Sequence, residues 1–529
     1  MNRHTQLELL PGCFILPCIV KLRFAVLCSL WLPLAAGAQT ILVQPYVQPG
    51  NGFSLASNDV KVIRWLTDQK PGEFTVEFGP QNALTNVTRA ARVALDFLPA
   101  KPSKAAPPKE PVPEAPKGKP AEPLAKKEPP IVIAEREQHY FKYTAPLTGL
   151  PFDTEIHYRV KLGDRVVREG AFPTRASAEK PIRFVMVGDI ASGRPQQNLV
   201  AWQIAQVKPQ FLVILGDIVY PSGRVSQYMH HFWSTYNQPT NAGPKGGAPL
   251  MASVPFYPAL GNHDSESSKL PDVADSFGAY HFFSVPQNGP GLGPWNTPLG
   301  KDPAVSNAFR AAVGPSYPAV AFYSFDNGPA HFTILDSAVY VTNFTENKPL
   351  MSWLENDLKS TKAKWKFVCF HVPPFQATKT HYTEQRMRLL QPLFERTGVD
   401  IVWAGHVHNY QRSVPLRFNP NPPRRLTNGL VNGDFKLDTK FDGVTQTQPD
   451  GVIHIVSGGG GAGLYGGGPE KNSDEFSKKY TAANWAPFTA KFFDKKHSFA
   501  VVDLTPARLE LRALDTDGVE VDKMVITKP

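Results

Sequence analysis

Cysteine is scarce in this chain. Only four of its 529 residues are cysteines, and three of them, Cys13, Cys18 and Cys28, fall within the first 30 positions. Cys369 stands alone in the rest of the sequence. A single thiol cannot form an internal disulfide, so after residue 38 stability has to come from core packing rather than from a disulfide framework.

Long hydrophobic runs are also missing. The apolar stretch FAVLCSLWLPLA at 24–35 follows Lys21 and Arg23 and precedes Ala-Gly-Ala. This is the pattern of a secretory signal peptide, so we expect residues 1–38 to be a leader that is removed. No segment reaches the roughly 20 apolar residues that a membrane helix needs. We therefore expect a secreted or periplasmic protein with no membrane partner after signal removal.

Dense clusters of a single charge are absent. The net charge is +10, but the 56 lysines and arginines are spread along the whole chain. A moderate basic excess suits a small anionic substrate. It gives no support to nucleic-acid binding, which favours a concentrated basic patch. The sequence leaves the oligomeric state open.

The segment after the predicted leader is rich in short β-forming stretches. They lie at 60–68, 74–80, 147–160 and 166–176, and the last two resemble the late strands of a fibronectin type III-like domain. The stretch at 99–130 interrupts them with 11 prolines, 7 lysines and 4 glutamates and no aromatic residue. Such a composition cannot bury a core, so we expect a disordered insertion within an all-β sandwich domain at 39–176.

From about residue 181 the pattern changes to apolar runs separated by amphipathic spacers. The runs IRFVMV, FLVIL, KFVCF and DIVWA each end directly before a polar group, and NLVAWQIAQVK at 198–208 is typical of a crossover helix. This pattern predicts an α/β domain at 177–529. The carboxyl ends of its strands should share one edge, where open α/β sheets place their sites.

The polar groups after these strands are of types that bind metal ions. They supply carboxylates, an amide, imidazoles and a phenol, in five blocks: Asp189-Ile190-Ala191, Gly216-Asp217-Ile218-Val219-Tyr220, Gly261-Asn262-His263-Asp264, Val368-Cys369-Phe370-His371 and Gly405-His406-Val407-His408. Oxygen and nitrogen donors of this kind suit iron, zinc or manganese at a hydrolytic centre. Asp217 is the natural carboxylate to bridge two ions held roughly 3.5 to 4 Å apart.

The five blocks resemble, in type and order, those of the purple acid phosphatases within the calcineurin-like metallophosphoesterases. The run GHVHNYQR at 405–412 is especially similar, and the resemblance covers about residues 181–515. It implies a calcineurin-like α/β sandwich preceded by a fibronectin type III-like domain. It also implies two metal ions, ferric iron and a divalent iron, zinc or manganese. The implied ligands are Asp189, Asp217, Tyr220 and His408 for the first ion and Asp217, Asn262, His371 and His406 for the second.

The resemblance also implies a reaction. In that family a metal-bound hydroxide attacks the phosphorus of a phosphate monoester, as in an acid phosphatase. His263 stands where the family has a histidine that contacts phosphate and can protonate the leaving group. His381, ten residues after His371, stands at the spacing of a second substrate-contacting histidine.

Three positions depart from the family pattern. Ala191 replaces the glycine of an Asp-x-Gly motif, Gln411 stands where a glutamate is usual, and Ile156 stands where the sandwich domain often has an aromatic residue. None of these removes an implied metal ligand. The glycine-rich run at 458–468 lacks the Gly-Lys-Ser/Thr of a nucleotide-binding loop, so we interpret it as a close backbone approach beside the site.

Two alternatives to a phosphomonoesterase remain open. One is a phosphodiesterase or nucleotide hydrolase on the same scaffold, because substrate choice would depend on the loops at 265–320 and 415–450. The other is a non-catalytic exported binding or adhesion protein, which would predict damaged metal ligands.

Overall fold

The computed structural model describes residues 39–81, 83–97, 138–240, 243–265, 275–290, 320–338, 344–422, 425, 428–466 and 487–529. The predicted signal peptide and the predicted insertion at 99–130 lie outside the described residues. None of the described helices has the length and apolar character needed to cross a membrane.

The described residues form strands joined by short helices. The strands are β1 Ile41–Gln48, β2 Asp59–Thr67, β3 Phe74–Pro80, β4 Asn86–Arg89, β5 Ala91–Phe97, β6 Gln138–Leu150, β7 Glu155–Leu162, β8 Arg165–Pro173, β9 Ile182–Val187, β10 Phe211–Leu215, β11 Phe256–Ala259, β12 Tyr323–Asn327, β13 Ala330–Ile334, β14 Trp365–Cys369, β15 Ile401–Ala404, β16 Tyr410–Ser413, β17 Leu416–Pro420, β18 Gly433–Leu437, β19 Ile453–Ser457, β20 Thr489–Phe493, β21 Ser498–Leu504, β22 Arg508–Asp515 and β23 Glu520–Thr527. The helices are α1 Pro195–Val207, α2 Val225–Gln227, α3 Trp233–Tyr236, α4 Gly278–Phe282, α5 Lys348–Ser360 and α6 Gln391–Thr397.

The first eight strands form two antiparallel sheets of an all-β region. The sheet orders are β1-β2-β6-β5 and β4-β3-β7-β8. Alternation explains the packing: in β3, Phe74, Val76 and Phe78 point inward while the residues between them do not. The core between the sheets holds Trp65 stacked on Tyr143, with ring centroids 5.4 Å apart. This all-β region is consistent with the predicted fibronectin type III-like domain.

The remaining strands build two mixed sheets. One has the order β11-β10-β9-β21-β22-β23 and the other β12-β13-β14-β15-β19-β16-β20. Phe184 of the first sheet contacts Phe332 and Phe367 of the second, with ring centroids 5.2 and 5.8 Å apart. The sheets therefore pack against each other through aromatic side chains, and the predicted calcineurin-like α/β sandwich is confirmed.

Each predicted strand before a polar block exists at or within a residue or two of its predicted position, and α1 covers the predicted crossover helix. The expectation of one sheet edge needs correction. The polar groups come from two sheets, with β9, β10 and β11 in one and β14 and β15 in the other. Apolar runs reveal buried parallel strands but not which sheet each strand joins.

The all-β region packs closely on the α/β region. Tyr46 of β1 donates a hydrogen bond to the carbonyl of Phe282 over 3.0 Å, and its ring lies 4.7 Å from that of Trp233. The buried guanidinium of Arg175 binds the Asp59 carboxylate at 2.8 Å and donates to the Asp326 carbonyl at 3.1 Å. The boundary at residues 176 and 177 stays a prediction.

Candidate metal centre

Two carboxylates stand at the ends of neighbouring parallel strands. Asp189 follows β9 and Asp217 follows β10, and both have positive φ angles, 61° and 49°. Such angles are uncommon for residues with a side chain and cluster at functional sites. Backbone hydrogen bonds hold the two turns together: the Asp189 amide donates to the Gly216 carbonyl over 3.0 Å, and the Ile190 amide donates to the Asp217 carbonyl over 3.1 Å.

The first group of donor atoms surrounds the Tyr220 hydroxyl. That oxygen lies 2.9 Å from Oδ1 of Asp189, 2.8 Å from Oδ2 of Asp217 and 3.1 Å from Nε2 of His408. His408 Nε2 is also 3.3 Å from Asp189 Oδ1. Four predicted ligands thus converge on one point.

The second group surrounds His371. Its Nε2 lies 3.2 Å from Oδ1 of Asp217, 3.1 Å from Oδ1 of Asn262 and 3.1 Å from Nδ1 of His406. Asp217 therefore takes part in both groups, through a different oxygen in each. A carboxylate that bridges two metal ions would use its two oxygens in this way.

Hydrogen bonds on the far side of each imidazole determine which nitrogen faces the cluster. Nδ1 of His371 lies 2.8 Å from the Leu215 carbonyl, and Nδ1 of His408 lies 2.7 Å from the Gly463 carbonyl. A carbonyl only accepts, so both Nδ1 atoms carry a proton, and in the neutral form of each ring the lone pair of Nε2 points inward, where a cation can bind it.

His406 faces the cluster with Nδ1 rather than with Nε2. Its Nε2 is 3.2 Å from the Glu384 carboxylate, which leaves Nδ1 with a lone pair directed at the inward nitrogen of His371. Two facing lone pairs repel unless a cation lies between them or one nitrogen is protonated. This donor set fits a metal ion, and the far-side partners orient its imidazoles as such partners do in metal proteins.

Burial and close neighbours shift the pKa values of several residues in the cluster. Burial and the neighbouring carboxylates of Asp189 and Asp217 raise the pKa of Tyr220 well above its usual value. Burial opposes ionisation of Asp217, yet His371 and His263 outweigh it and lower the Asp217 pKa. Burial lowers the pKa of His406 to about 4. Within the described part of the chain, no lysine or arginine pairs with either carboxylate, so bound cations would provide the compensating charge.

Glycines allow the strand ends to approach this closely. A Cβ on Gly261 would lie 2.1 Å from Oδ1 of Asp217, and one on Gly405 would lie 2.8 Å from Oδ2 of Asp189. In the glycine-rich run, a Cβ on Gly458 would also lie 2.8 Å from Asp189, and the Gly460 amide donates to the Gly188 carbonyl over 3.1 Å. This geometry agrees with the close backbone approach predicted for the run.

The two predicted catalytic histidines lie beside different members of the cluster. His263 has its ring 4.4 Å from that of Tyr220, and its Nδ1 is 2.6 Å from the Pro221 carbonyl. His381 has its ring 4.0 Å from that of His406. The side chains of His263 and His381 are 38% and 29% exposed, so a substrate can reach both.

Sequence reasoning missed Glu384 and Tyr465. Glu384 joins His381 and His406 through its two carboxylate oxygens, at 2.6 and 3.2 Å. Tyr465 stacks on His408 with ring centroids 4.1 Å apart. Glu384 stands three residues after His381, a spacing that could have flagged it, whereas nothing in the glycine-rich run indicates the stacking of Tyr465.

Two of the three departures from the family pattern, Ala191 and Gln411, have structural explanations. Ala191 pairs with Val219 in an isolated parallel bridge, and its carbonyl accepts the Tyr220 amide at 2.9 Å. Gln411 is buried, donates to Thr378 at 3.0 Å and accepts the Ala377 amide at 2.7 Å. An amide can do both, whereas an ionised glutamate only accepts.

Known proteins resemble this chain in sequence and in fold. The calcineurin-like phosphoesterase family matches residues 182–410. Purple acid phosphatase 18 of Arabidopsis thaliana is 26% identical over 324 residues, which cover 60% of this chain and 56% of that protein. Fe(3+)-Zn(2+) purple acid phosphatase 12 of Arabidopsis thaliana is 23% identical over 307 residues, which cover 55% of this chain and 57% of that protein. The chain thus spans less than two thirds of both relatives.

A solved structure shares the fold. The purple acid phosphatase PPD1 from yellow lupin (Lupinus luteus) seeds superposes with a TM-score of 0.56 at 18% identity, covering 91% of this chain and 74% of that one. Fold, strand-end motifs and family match together show a calcineurin-like phosphoesterase domain at residues 182–410. Within that class, the chain is similar in sequence to purple acid phosphatases and shares its fold with one of them.

Gly261→Ala tests the close approach at Asp217. Because the new Cβ would lie 2.1 Å from the carboxylate oxygen, we expect Asp217 to shift and metal binding to fall to less than half of the wild-type stoichiometry. Metal analysis of the purified variants measures this effect. Gly466→Ala is the control, because among the described residues its Cβ would meet only Asp494, at an ordinary 3.5 Å. Equal metal contents in the two variants would contradict the role given to Gly261.

Proposed function

We propose that this protein is an exported phosphatase that uses two metal ions to hydrolyse phosphate monoesters. The observation that carries the proposal is the pair of donor groups that share Asp217, one through each carboxylate oxygen. Few buried arrangements other than a dinuclear metal centre gather two carboxylates, a phenol, an amide and three imidazoles within hydrogen-bonding distance.

The chemistry of each donor group favours a different ion. The group around Tyr220 has two carboxylates and a phenol with one imidazole, and we assign it to ferric iron, a hard trivalent cation. The group around His371 has two imidazoles, one amide and the shared carboxylate, and we assign it to divalent iron, zinc or manganese. The seven proposed ligands are Asp189, Asp217, Tyr220, Asn262, His371, His406 and His408.

When bound, two such ions neutralise a phosphate group, orient it and lower the pKa of coordinated water, which supplies the nucleophile. The chain has to provide a proton for the departing alkoxide. His263 is the proposed acid because its Nδ1 proton is held by the Pro221 carbonyl, so a second proton on Nε2 is free to transfer. Its Nε2 lies 4.0 Å from Oδ2 of Asp217, beside the proposed reaction centre.

His381, beside His406, is the second proposed contact to the substrate. Its Nδ1 bonds to Glu384, so Nε2 is the nitrogen left to contact a substrate oxygen. Glu384 also holds His406, and one carboxylate thereby orients a proposed substrate contact and a proposed metal ligand together.

Export and substrate preference belong to the same proposal. The relatives named above are phosphatases, which favours phosphate esters over a pure binding role, and all seven proposed ligands are present. A phosphodiesterase or nucleotide hydrolase is the alternative on this scaffold. The loops expected to decide between them include residues 266–274 and 291–319, which lie outside the described residues.

Two substitutions separate metal binding from proton transfer. We expect Asp217→Ala to lose both metal ions and hydrolysis, because it removes a ligand from both donor groups. We expect His263→Ala to keep its metals and to lose about 10²- to 10⁴-fold in turnover, the usual contribution of a general acid. Metal analysis with steady-state kinetics on an aryl phosphate measures both effects. Normal hydrolysis by the metal-free Asp217→Ala variant would contradict the proposed mechanism.

The leaving group provides a further test of His263. An aryl phosphate whose phenol is strongly acidic needs little protonation, whereas an alkyl phosphate needs it fully. We therefore expect His263→Ala to impair alkyl phosphates more than activated aryl phosphates. An equal loss on both substrates would exclude the acid role and leave His263 as a binding contact.

The choice between monoesterase and diesterase is measured with a matched substrate pair. We expect kcat/KM for an aryl phosphate to exceed that for the corresponding bis-aryl phosphodiester. The reverse order would favour the phosphodiesterase alternative and would leave the proposal of a metal centre unchanged.

A further inference from the structure

A cavity lies apart from the proposed metal centre. It has a volume of about 460 Å³ and opens where the turn between β12 and β13 meets the loop at 53–56 of the all-β region and the residues after α5. The strand β13 begins beside this cavity, which His331 lines, and ends at Ile334, which pairs with Cys369 two residues before His371. That strand spans roughly 13 Å, so the cavity is a separate site.

Hydrogen bonds fix the walls of this cavity. The Asp326 amide donates to the Phe53 carbonyl over 2.7 Å, which joins the α/β region to the loop of the all-β region. The buried guanidinium of Arg175 donates to the carbonyls of Ser54 and Asp326, each at 3.1 Å. The cavity is therefore preformed, as small-molecule sites usually are.

A buried ion-pair network forms its floor. His331 is 5% exposed and lies between two carboxylates, with Nδ1 2.7 Å from Asp326 and Nε2 3.0 Å from Asp357. Burial opposes its charge, but the bonds to both carboxylates prevail and raise its pKa to about 9. Thr333 and Ser324 also donate to Asp357, at 2.8 and 2.5 Å, so both of its oxygens accept hydrogen bonds within the network.

Asp326 keeps an oxygen available to a ligand. Its Oδ1 accepts from His331, while Oδ2 accepts no hydrogen bond from the residues that the structure describes, and the side chain is 28% exposed. The ammonium groups of Lys362 and Lys364, also on the lining, form no ion pair with any described residue. The cavity thus offers both free acceptors and free donors.

The lining charges balance. With His331 protonated, the three basic side chains match the three acidic ones, Glu179, Asp326 and Asp357. Such a lining attracts neither anions nor cations strongly. An apolar ligand would leave the free oxygen of Asp326 without a partner, at a cost in binding. The best match is a neutral ligand with many hydroxyl groups.

An exposed aromatic ring completes the site. Phe53 lines the cavity and is 45% exposed, among the largest values for a large apolar residue in the described chain. The C–H face of a sugar ring covers such a ring while its hydroxyl groups reach the carboxylate and the ammonium groups. We propose that this cavity is a binding site for a neutral saccharide, with Phe53 as the stacking platform and Asp326 as the hydroxyl acceptor.

The experiment uses the full-length protein on an array of neutral hexose, pentose and N-acetylhexosamine oligosaccharides, followed by calorimetry on any sugar that is captured. We expect capture by the wild type and about tenfold weaker binding by Phe53→Ser, since an aromatic contact is worth about 1.4 kcal/mol. Asp326→Asn should also weaken binding. Because Phe53 is exposed, its substitution tests the proposal even if Asp326→Asn does not fold.

Two controls give the result its meaning. Leu42→Ser removes another exposed apolar side chain, 41% exposed and outside the cavity, and should bind the sugar like the wild type. Asp217→Ala, with a disabled metal centre, should also bind the sugar normally. Capture of no neutral sugar, capture of charged glycans only, or equal binding by the wild type and Phe53→Ser would overturn the proposal.

Discussion

The carboxylate of Asp217 is the group on which the rest of the site depends. It is almost fully buried, and each of its oxygens belongs to a different cluster of donor atoms. Holding it there requires a positive φ at Asp217, a glycine without Cβ at position 261, and the His263 amide, which donates to Oδ1 over 2.8 Å. Burying an ionised carboxylate beside other acidic groups costs free energy unless positive charge compensates it. Those local features position an acidic group for a cation rather than stabilise the fold.

The two sheets explain how donors so distant in sequence meet. Aromatic side chains such as Phe184 and Phe332 press the sheets together, and the strand ends of both then converge. From one sheet come the carboxylates of Asp189 and Asp217, and from the other comes His371. Backbone contacts between the turns, such as the Gly188 amide donating to the Ser457 carbonyl over 2.8 Å, lock this convergence. The hydrophobic core between the sheets thus holds the polar side chains at the strand ends in fixed positions.

Much of this could be predicted from the sequence, because buried parallel strands are apolar runs and the polar residue after each run lies at a sheet edge. That logic located the strand-end blocks, and the resemblance to the purple acid phosphatases singled out the seven side chains that make up the two donor groups. It could not find Glu384 or the Gly463 carbonyl, since the partners that orient an imidazole depend on loop geometry. It also could not assign strands to two sheets, because the runs that end at Asp217 and His371 look alike as sequence. Nor could the sequence predict the cavity beside Phe53, because its walls come from three separate parts of the chain.

The most direct test of a dinuclear centre is metal analysis combined with a visible spectrum of the protein loaded with iron and zinc. The account predicts about two ions per chain and a visible absorption band from tyrosinate on ferric iron. Tyr220→Phe should fold normally and lose that band. A folded wild-type chain that binds no more than one ion, or a visible band unchanged in Tyr220→Phe, would contradict the convergence of these side chains on a pair of cations.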